Sequence, residues 1–299
     1  MFIFAADNGN SGILDVSSAR WEKETIENFM IMKQVKMFFL AAVLSLCSLG
    51  VLTSCANEDN NSVVPPLSEQ IVGKWMMEEY DDMPVITDEK VILNFVSPDK
   101  CLVTMLLADD EEEGGWVEDM EFDVTINGQV VTLFGQLTED ISVIYEMQVN
   151  SIVGNDLLCY LKMTDIVDGE ASNIEYTAHC VRTTTDNSAG IIGIWEGYYK
   201  EDEDENIRCR FEFKDDETYN FYYFNDASGE WTQSVDDHSF YFCNGDVLYM
   251  RWKNPGSASI CEAWDITDIG NGVMKWYALR NDDNGSIYEL TTEFTKVQE

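Results

Sequence analysis

Histidine is almost missing from this chain, with two in 299 residues. So small a number leaves little room for His-based catalysis or a His-rich metal site. Basic residues are also scarce, at 18 against 56 acidic ones, for a formal net charge of -38. Such a charge repels nucleic acid and anionic lipid headgroups, so neither is expected as a partner. Proline occurs five times, at 65, 66, 84, 98 and 255, outside every segment that reads as strand. No nucleophile elbow, zinc spacing or phosphate loop is present. Carboxylate pairs are so abundant that they do not mark acid–base catalysis. An enzyme is not expected, nor is a cofactor or a metal. What remains is a folded chain: 45% apolar residues is ordinary for a packed protein. The length suggests two domains at roughly 100–200 residues each.

The strongest local signal spans residues 32–55. Met32 precedes Lys33 and Lys36, an apolar run from Met37 to Leu52, then Thr53, Ser54 and Cys55. This is a charged n-region, a short h-region and small residues at a cleavage point. The run is shorter than the ~20 residues needed to span a bilayer core. Leu52-Thr53-Ser54-Cys55 resembles a bacterial lipobox. That resemblance implies cleavage before Cys55 and diacylglycerol on its sulfur, which would fix the protein to a bilayer. Residues 1–31 fit no signal; a start at Met32 is the simplest reading, and a genuine extension is the alternative. Behind Cys55 lie Ala56, Asn57, Glu58 and Asp59, the start of an acidic tether over 55–66. That stretch resembles the surface-export signal of Bacteroidetes lipoproteins, which implies an outer-membrane protein facing outward. From Cys55 onward the charge is 14 basic minus 51 acidic, or -37, so nearly all of the excess sits on the exported part.

The mature chain repeats itself. Ile71-Val72-Gly73-Lys74-Trp75 matches Ile191-Ile192-Gly193-Ile194-Trp195 at an offset of 120. Phe95 then matches Phe213, Gly115-Trp116 matches Glu230-Trp231, Phe122 matches Phe240, and Asn127-Gly128 matches Asn244-Gly245. Ile152 to Leu157 resembles Ile269 to Met274, and Tyr176 falls near Tyr288. The repeats run over 67–182 and 190–299, with a polar linker at 183–189. Alternation of apolar and polar residues, clearest in Arg208-Cys209-Arg210-Phe211-Glu212-Phe213, predicts strands. Asn-Gly and similar pairs between them predict hairpins. About eight antiparallel strands are expected per repeat, with a short helical turn at Leu67 to Val72. Such strands form a barrel or a sandwich.

Gly73, Trp75, Gly193 and Trp195 resemble the opening motif of lipocalin and calycin barrels, in which the Trp closes one end. The chain is similar to the two-copy lipocalin-like lipoproteins of gut Bacteroidetes. The resemblance implies two tandem all-β barrels of about eight strands, with two immunoglobulin-like sandwiches as the alternative.

Candidate binding residues come from an imbalance. Repeat two has 21 aromatic residues from 190 onward, and repeat one has nine from 67 to 182. Phe211, Phe213, Tyr219, Phe221, Tyr223, Trp231, Trp252 and Trp264 are the candidate ligand contacts. Small barrels also fill their interiors with such side chains. However, Tyr219 to Phe224 is aromatic on both faces, more than one core requires. Two functions follow: binding of a small apolar ligand or glycan in the mouth of barrel two, or protein contact through acidic loops with filled barrels. A barrel interior filled by its own side chains separates them.

The acidic runs Asp109–Glu113 and Glu201–Glu205 read as solvated loops, with calcium or a basic partner as the functional alternative. Asn281-Asp282-Asp283-Asn284-Gly285 reads as a hairpin turn. His179 and His238 read as structural strand residues. Six cysteines remain after Cys47 and Cys55. They are expected as small buried thiols, although one disulfide per domain is open to an exported chain. If Met32 is the initiator, mass spectrometry of cells will find no peptide from residues 1–31; one such peptide establishes an extension.

Overall fold

The computed structural model describes residues 65–107, 115–137, 141–199, 207–234, 237–253, 259–282 and 285–298. The leader, Cys55, most of the tether and both acidic runs lie outside these residues.

Repeat one opens with a one-turn helix α1 (Leu67–Gln70), followed by strands β1 (Gly73–Tyr80), β2 (Met83–Pro84), β3 (Val91–Ser97), β4 (Lys100–Leu107), β5 (Gly115–Asn127), β6 (Val130–Gln136), β7 (Ile141–Val153), β8 (Asp156–Val167) and β9 (Glu170–Thr183). Consecutive strands pair antiparallel. The last returns to the first, with Trp75 opposite Arg182 and Met77 opposite Cys180. β1 and β3–β9 thus close an eight-stranded barrel, with β2 as a two-residue flap on β1. Closure by one continuous sheet excludes a sandwich for this repeat. The alternation read from sequence points inward as expected. Phe95, Cys101, Val103, Phe122, Val131, Leu133, Met147 and Leu157 form one buried core.

Repeat two carries α2 (Ser188–Ile191), β10 (Gly193–Tyr199), β11 (Ile207–Phe213), β12 (Tyr219–Asn225), β13 (Glu230–Gln233), β14 (Asp237–Asn244), β15 (Val247–Lys253), β16 (Ser259–Gly270), β17 (Val273–Asn281) and β18 (Ile287–Lys296). α2 is a second short helix, beyond the one that the sequence pattern suggested. The nine strands form one curled sheet with β13 and β14 at its ends. Among the described residues its two flanks meet in one isolated bridge between Thr218 and Phe240, with the Tyr241 N–H donating to the Glu217 carbonyl at 2.9 Å. A comparison with repeat one explains the gap. There, β5 runs 13 residues without a break, crosses a register shift at Asp119, which holds a φ of 50°, and stays on β4 from Gly115 to Asp123. In repeat two the matching stretch is two strands. β13 stays on β12, while β14 turns to β15. A lateral seam is left in the wall.

Both repeats open in the same way. Gly73 and Gly193 hold φ of 125° and 127°, a conformation that favours glycine. Two residues on, the Trp75 indole N–H donates to the Ile71 carbonyl (2.7 Å) and that of Trp195 to the Ile191 carbonyl (2.6 Å). A cation from the repeat's last strand covers each ring. Arg182 sits 4.1 Å from the Trp75 centroid and donates to the carbonyls of Val72 and Gln70, each at 2.6 Å. Lys296 sits 5.0 Å from Trp195 and donates to the Ile192 carbonyl at 2.8 Å. A Cβ on Gly73 would collide with the Arg182 guanidinium. The small residue, the ring and the cation therefore form one latch.

The barrels are wedged together. β16 and β17 pair from Gly270 and Val273 up to Asp265 and Tyr277, then part. Past that point Ala278–Asn281 pair with β18 alone. A 3-10 turn of barrel one, Thr87–Glu89, fills the split. Asp88 accepts the Ala263 N–H from β16 at 2.7 Å, and Thr87 accepts the Leu279 N–H from β17 at 2.8 Å. Arg280 lies 3.2 Å from Asp88. Beside it, the buried Lys90 ammonium reaches Asp265 and Glu78, each at 3.0 Å. Met76, Ile92, Leu106, Phe242, Val247, Tyr249 and Ala263 add an apolar patch drawn from both repeats. A buried donor left unpaired costs about 1–3 kcal/mol. Thr87→Val together with Asp88→Ala should therefore lower unfolding free energy by roughly 2–5 kcal/mol in urea titrations. A loss under ~0.5 kcal/mol would show that the wedge contributes nothing.

Candidate functional site: the aromatic wall of barrel two

The interior of barrel two is a packed set of rings. Phe211 lies at its centre, with centroids of Phe221 at 4.9 Å, Trp276 at 5.2 Å, Phe294 at 5.6 Å, Phe213 at 5.7 Å and Tyr219 at 6.0 Å. Trp264 packs on Trp276 at 5.6 Å and on Tyr199 at 6.1 Å. Pairs in this range favour edge-to-face and offset geometry, each contributing about 0.5–1.5 kcal/mol beyond area burial. Of the candidate ligand contacts, Phe211, Phe213, Tyr219 and Trp264 are therefore core, and Phe221 and Trp252 are half-buried against that core. Tyr223, paired with β11 on one side and β13 on the other, is 40% exposed, and Trp231 is half-buried on the outer face. Barrel one is filled by Trp75, Phe95 and Phe122 together with aliphatic side chains, methionines and thiols.

The second half of the aromatic set faces outward, as the double-sided segment Tyr219–Phe224 implied. Arg208 covers Phe224 at 4.3 Å, and Arg210 covers Trp231 at 4.1 Å. Glu196 on β10 holds both guanidinium groups, at 2.5 Å and 2.8 Å. Hydrogen bonds from Arg208 and Arg210 hold the Glu196 carboxyl below its ordinary range against the opposing effect of desolvation. Tyr222 and Asn220 donate to Glu212 at 3.0 Å and 2.7 Å. Tyr198, opposite Arg208 in the ladder, is 51% exposed. The outer wall of β10–β13 thus carries rings, amides and guanidinium groups in one ordered array. Sequence alternation located these rings but not the arginines that cover them, because strand pairing sets which charge meets which ring.

Two carboxyls stand apart, Asp265 buried and Glu262 half-buried. Glu262 accepts from the Tyr199 hydroxyl at 3.0 Å. Loss of water pushes its pKa up to about 7, against the pull of Arg280. Loss of water also raises Asp265 to about 6, although Lys90 opposes it. Burial pulls on Lys90 too, but Asp265 and Glu78 hold its ammonium above the ordinary lysine range.

The other residues singled out from sequence read plainly. His179 contacts Asp156 at 2.9 Å and Glu79 at 3.5 Å on the outer wall of barrel one; the side chain of His238 lies outside the described residues. All six cysteines are free. Burial raises Cys159, Cys209 and Cys243 to about 12, so the thiolate form is suppressed. At the Asn281–Gly285 stretch, the Asp282 carboxylate accepts the Ser286 N–H at 2.7 Å, a turn between β17 and β18. Among the described residues, no three His, Cys, Asp or Glu side chains are placed to hold a metal.

These observations define a class: a two-barrel all-β protein with a ring-filled second barrel and an aromatic–arginine outer wall. No family model matches the sequence, and no curated protein does. Among solved structures, a protein of unknown function from the DUF3598 family of Nostoc punctiforme is similar at 12% identity. The match covers 77% of this chain and 97% of that one, at a TM-score of 0.20.

Glu262 generates a prediction. A carboxyl with a raised folded pKa binds its proton more tightly in the folded state. Its ionisation therefore withdraws stability as pH rises from the unfolded value of 4.5 to about 7. Thermal unfolding midpoints should fall between pH 4.5 and pH 7.5, and Glu262→Gln should flatten that slope. An unchanged slope in the variant would assign the trend to Asp265 and general charge repulsion instead.

Proposed function

We propose that this is an exported, lipid-anchored lipoprotein that acts by binding, and that it binds with the outside of barrel two. Two lipocalin-like repeats behind a lipobox, as in the lipoproteins of Bacteroidetes, are the reading that the twin Gly-x-Trp latches support. Diacylglycerol on Cys55 and an acidic tether would hold the barrels at the outer membrane, facing outward. The observation that carries the binding mode is the ring cluster around Phe211: the space where a lipocalin-like barrel would hold an apolar ligand is taken up by Phe211, Phe213, Tyr219 and Trp264. Tyr198, Tyr222, Phe224 and Trp231, with Arg208 and Arg210, then form the surface offered to a glycan or a protein. Stiff amphipathic rings and arginines are the side chains that dominate recognition surfaces.

Two measurements test this reading. N-Phenyl-1-naphthylamine, a neutral apolar probe, should show no saturable fluorescence gain with the protein; a stoichiometric gain would mean an accessible interior. In detergent phase separation the wild-type chain should enter the detergent phase, and Cys55→Ser should remain in the aqueous phase. Equal partitioning of both would remove the anchor.

A further inference from the structure

The seam in barrel two is lined from both sides of the wall. On β12, Tyr219 and Phe221 face inward and pack on Phe211, while Asn220 faces outward to Glu212 and Tyr222. Strand alternation keeps two such rows apart wherever a wall is intact. Here a single recess of about 250 Å³ is lined by Tyr219, Phe221, Asn220, Lys214, Gln233 and Ser239. Both rows can line one recess only because β14 leaves β12 at this point. The recess therefore passes into the wall, with rings at its floor and hydrogen-bonding groups at its rim.

We infer that this seam is a subsite for one neutral pyranose ring of a glycan, an inference that rests on the exterior-binding reading above. Size is the first argument. Drug-sized and cofactor pockets run to roughly 300–1,000 Å³. The seam falls just below that range, enough for one ring and too small for an acyl chain or an oligosaccharide. Chemistry is the second. A pyranose has an apolar C–H face and a rim of hydroxyls that both donate and accept. The seam offers ring surface from Phe221, with Phe240 at its edge. Its rim offers amides (Asn220, Gln233), hydroxyls (Thr218, Ser239) and the Lys214 ammonium. That ammonium donates to Asn220 Oδ1 at 3.2 Å and has further protons to offer. Charge is the third. The chain's net charge of -38 disfavours an anionic sugar. The rim is otherwise uncharged, which gives a cationic ligand no partner within it. Position is the fourth: Asn220 bonds to Tyr222 and Glu212 of the outer array, so the subsite adjoins the surface proposed for recognition.

The test uses the complete chain carrying Cys55→Ser and four probes: the methyl β-glycosides of glucose, galactose and N-acetylglucosamine, and methyl α-mannoside. Saturation-transfer NMR should show at least one of them bound with a Kd of about 1–10 mM. Transfer should be strongest to the axial C–H protons that would lie on the rings. Lys214→Met with Gln233→Ala, both on the rim and outside the core, should weaken that probe at least about tenfold, or 1.4 kcal/mol. Ser239→Ala should act in the same direction. His179→Gln, on the outer wall of barrel one beside Asp156 and Glu79, should leave it unchanged. Absence of transfer to all four probes overturns the inference, as does binding that survives the rim variants. Failure of the exterior-binding reading looks different. In that case N-phenyl-1-naphthylamine binds stoichiometrically and the rim variants leave its affinity intact.

Discussion

Two backbone N–H groups in the wall of barrel two, at Ala263 and Leu279, have no strand to receive them. Side chains of barrel one supply the acceptors. The Lys90–Asp265 pair and the shared apolar patch are arranged around these two bonds. A split sheet exposes orphan donors, and burying such donors unpaired is more costly than the gain from any single contact at the interface. Thr87 and Asp88 remove that cost, and Arg280 and Lys90 then place opposite charges against the carboxylates that the same turn brings in. The two barrels are in this sense not beads on a string. Barrel two borrows part of its wall.

Barrel two is incomplete on another side as well, and its core compensates. Barrel one closes through a full ladder between β1 and β9, and its interior holds fewer rings, with Trp75, Phe95 and Phe122 among aliphatic side chains, methionines and thiols. Among the described residues, barrel two has one isolated bridge across the seam. Its rigidity must come from within, and the rings around Phe211 supply large contact areas with few rotatable bonds. The excess of aromatics in repeat two thus has two origins. One set replaces missing strand pairing, and the other coats the outer wall.

Much of this was legible in the sequence. The Gly73/Trp75 and Gly193/Trp195 pairs marked both repeats, because a positive φ and a closing ring leave a fixed spacing. Alternation marked β11 and the two-faced character of β12. The strand count came out near eight because Asn-Gly and Gly-rich turns punctuate the chain. Other features had no local signature. The wedge depends on Thr87 and Asp88, two polar residues in a turn that reads like any loop, 175 or more positions from their partners. The break between β13 and β14 sits where repeat one tolerates a bulge, and no single residue type announces which outcome follows. The arginines over Phe224 and Trp231 become meaningful only once registers are set. The ring cluster was visible as composition, but whether it lined a chamber or filled one is a question of volume.

The latch has a consequence for the order in which the protein is made. Arg182 reaches a carbonyl 110 residues earlier, and Lys296 one 104 residues earlier. Contacts so remote in sequence carry a large loop-closure cost, which slows their formation. Barrel one can close as soon as β9 has emerged, while repeat two is still being delivered. Barrel two gains its latch only when its final strand arrives. By then its partner already presents the turn that fills the split between β16 and β17. A chain cut short before β18 would lack the Lys296 latch of barrel two while keeping every strand of barrel one and the turn that fills the split.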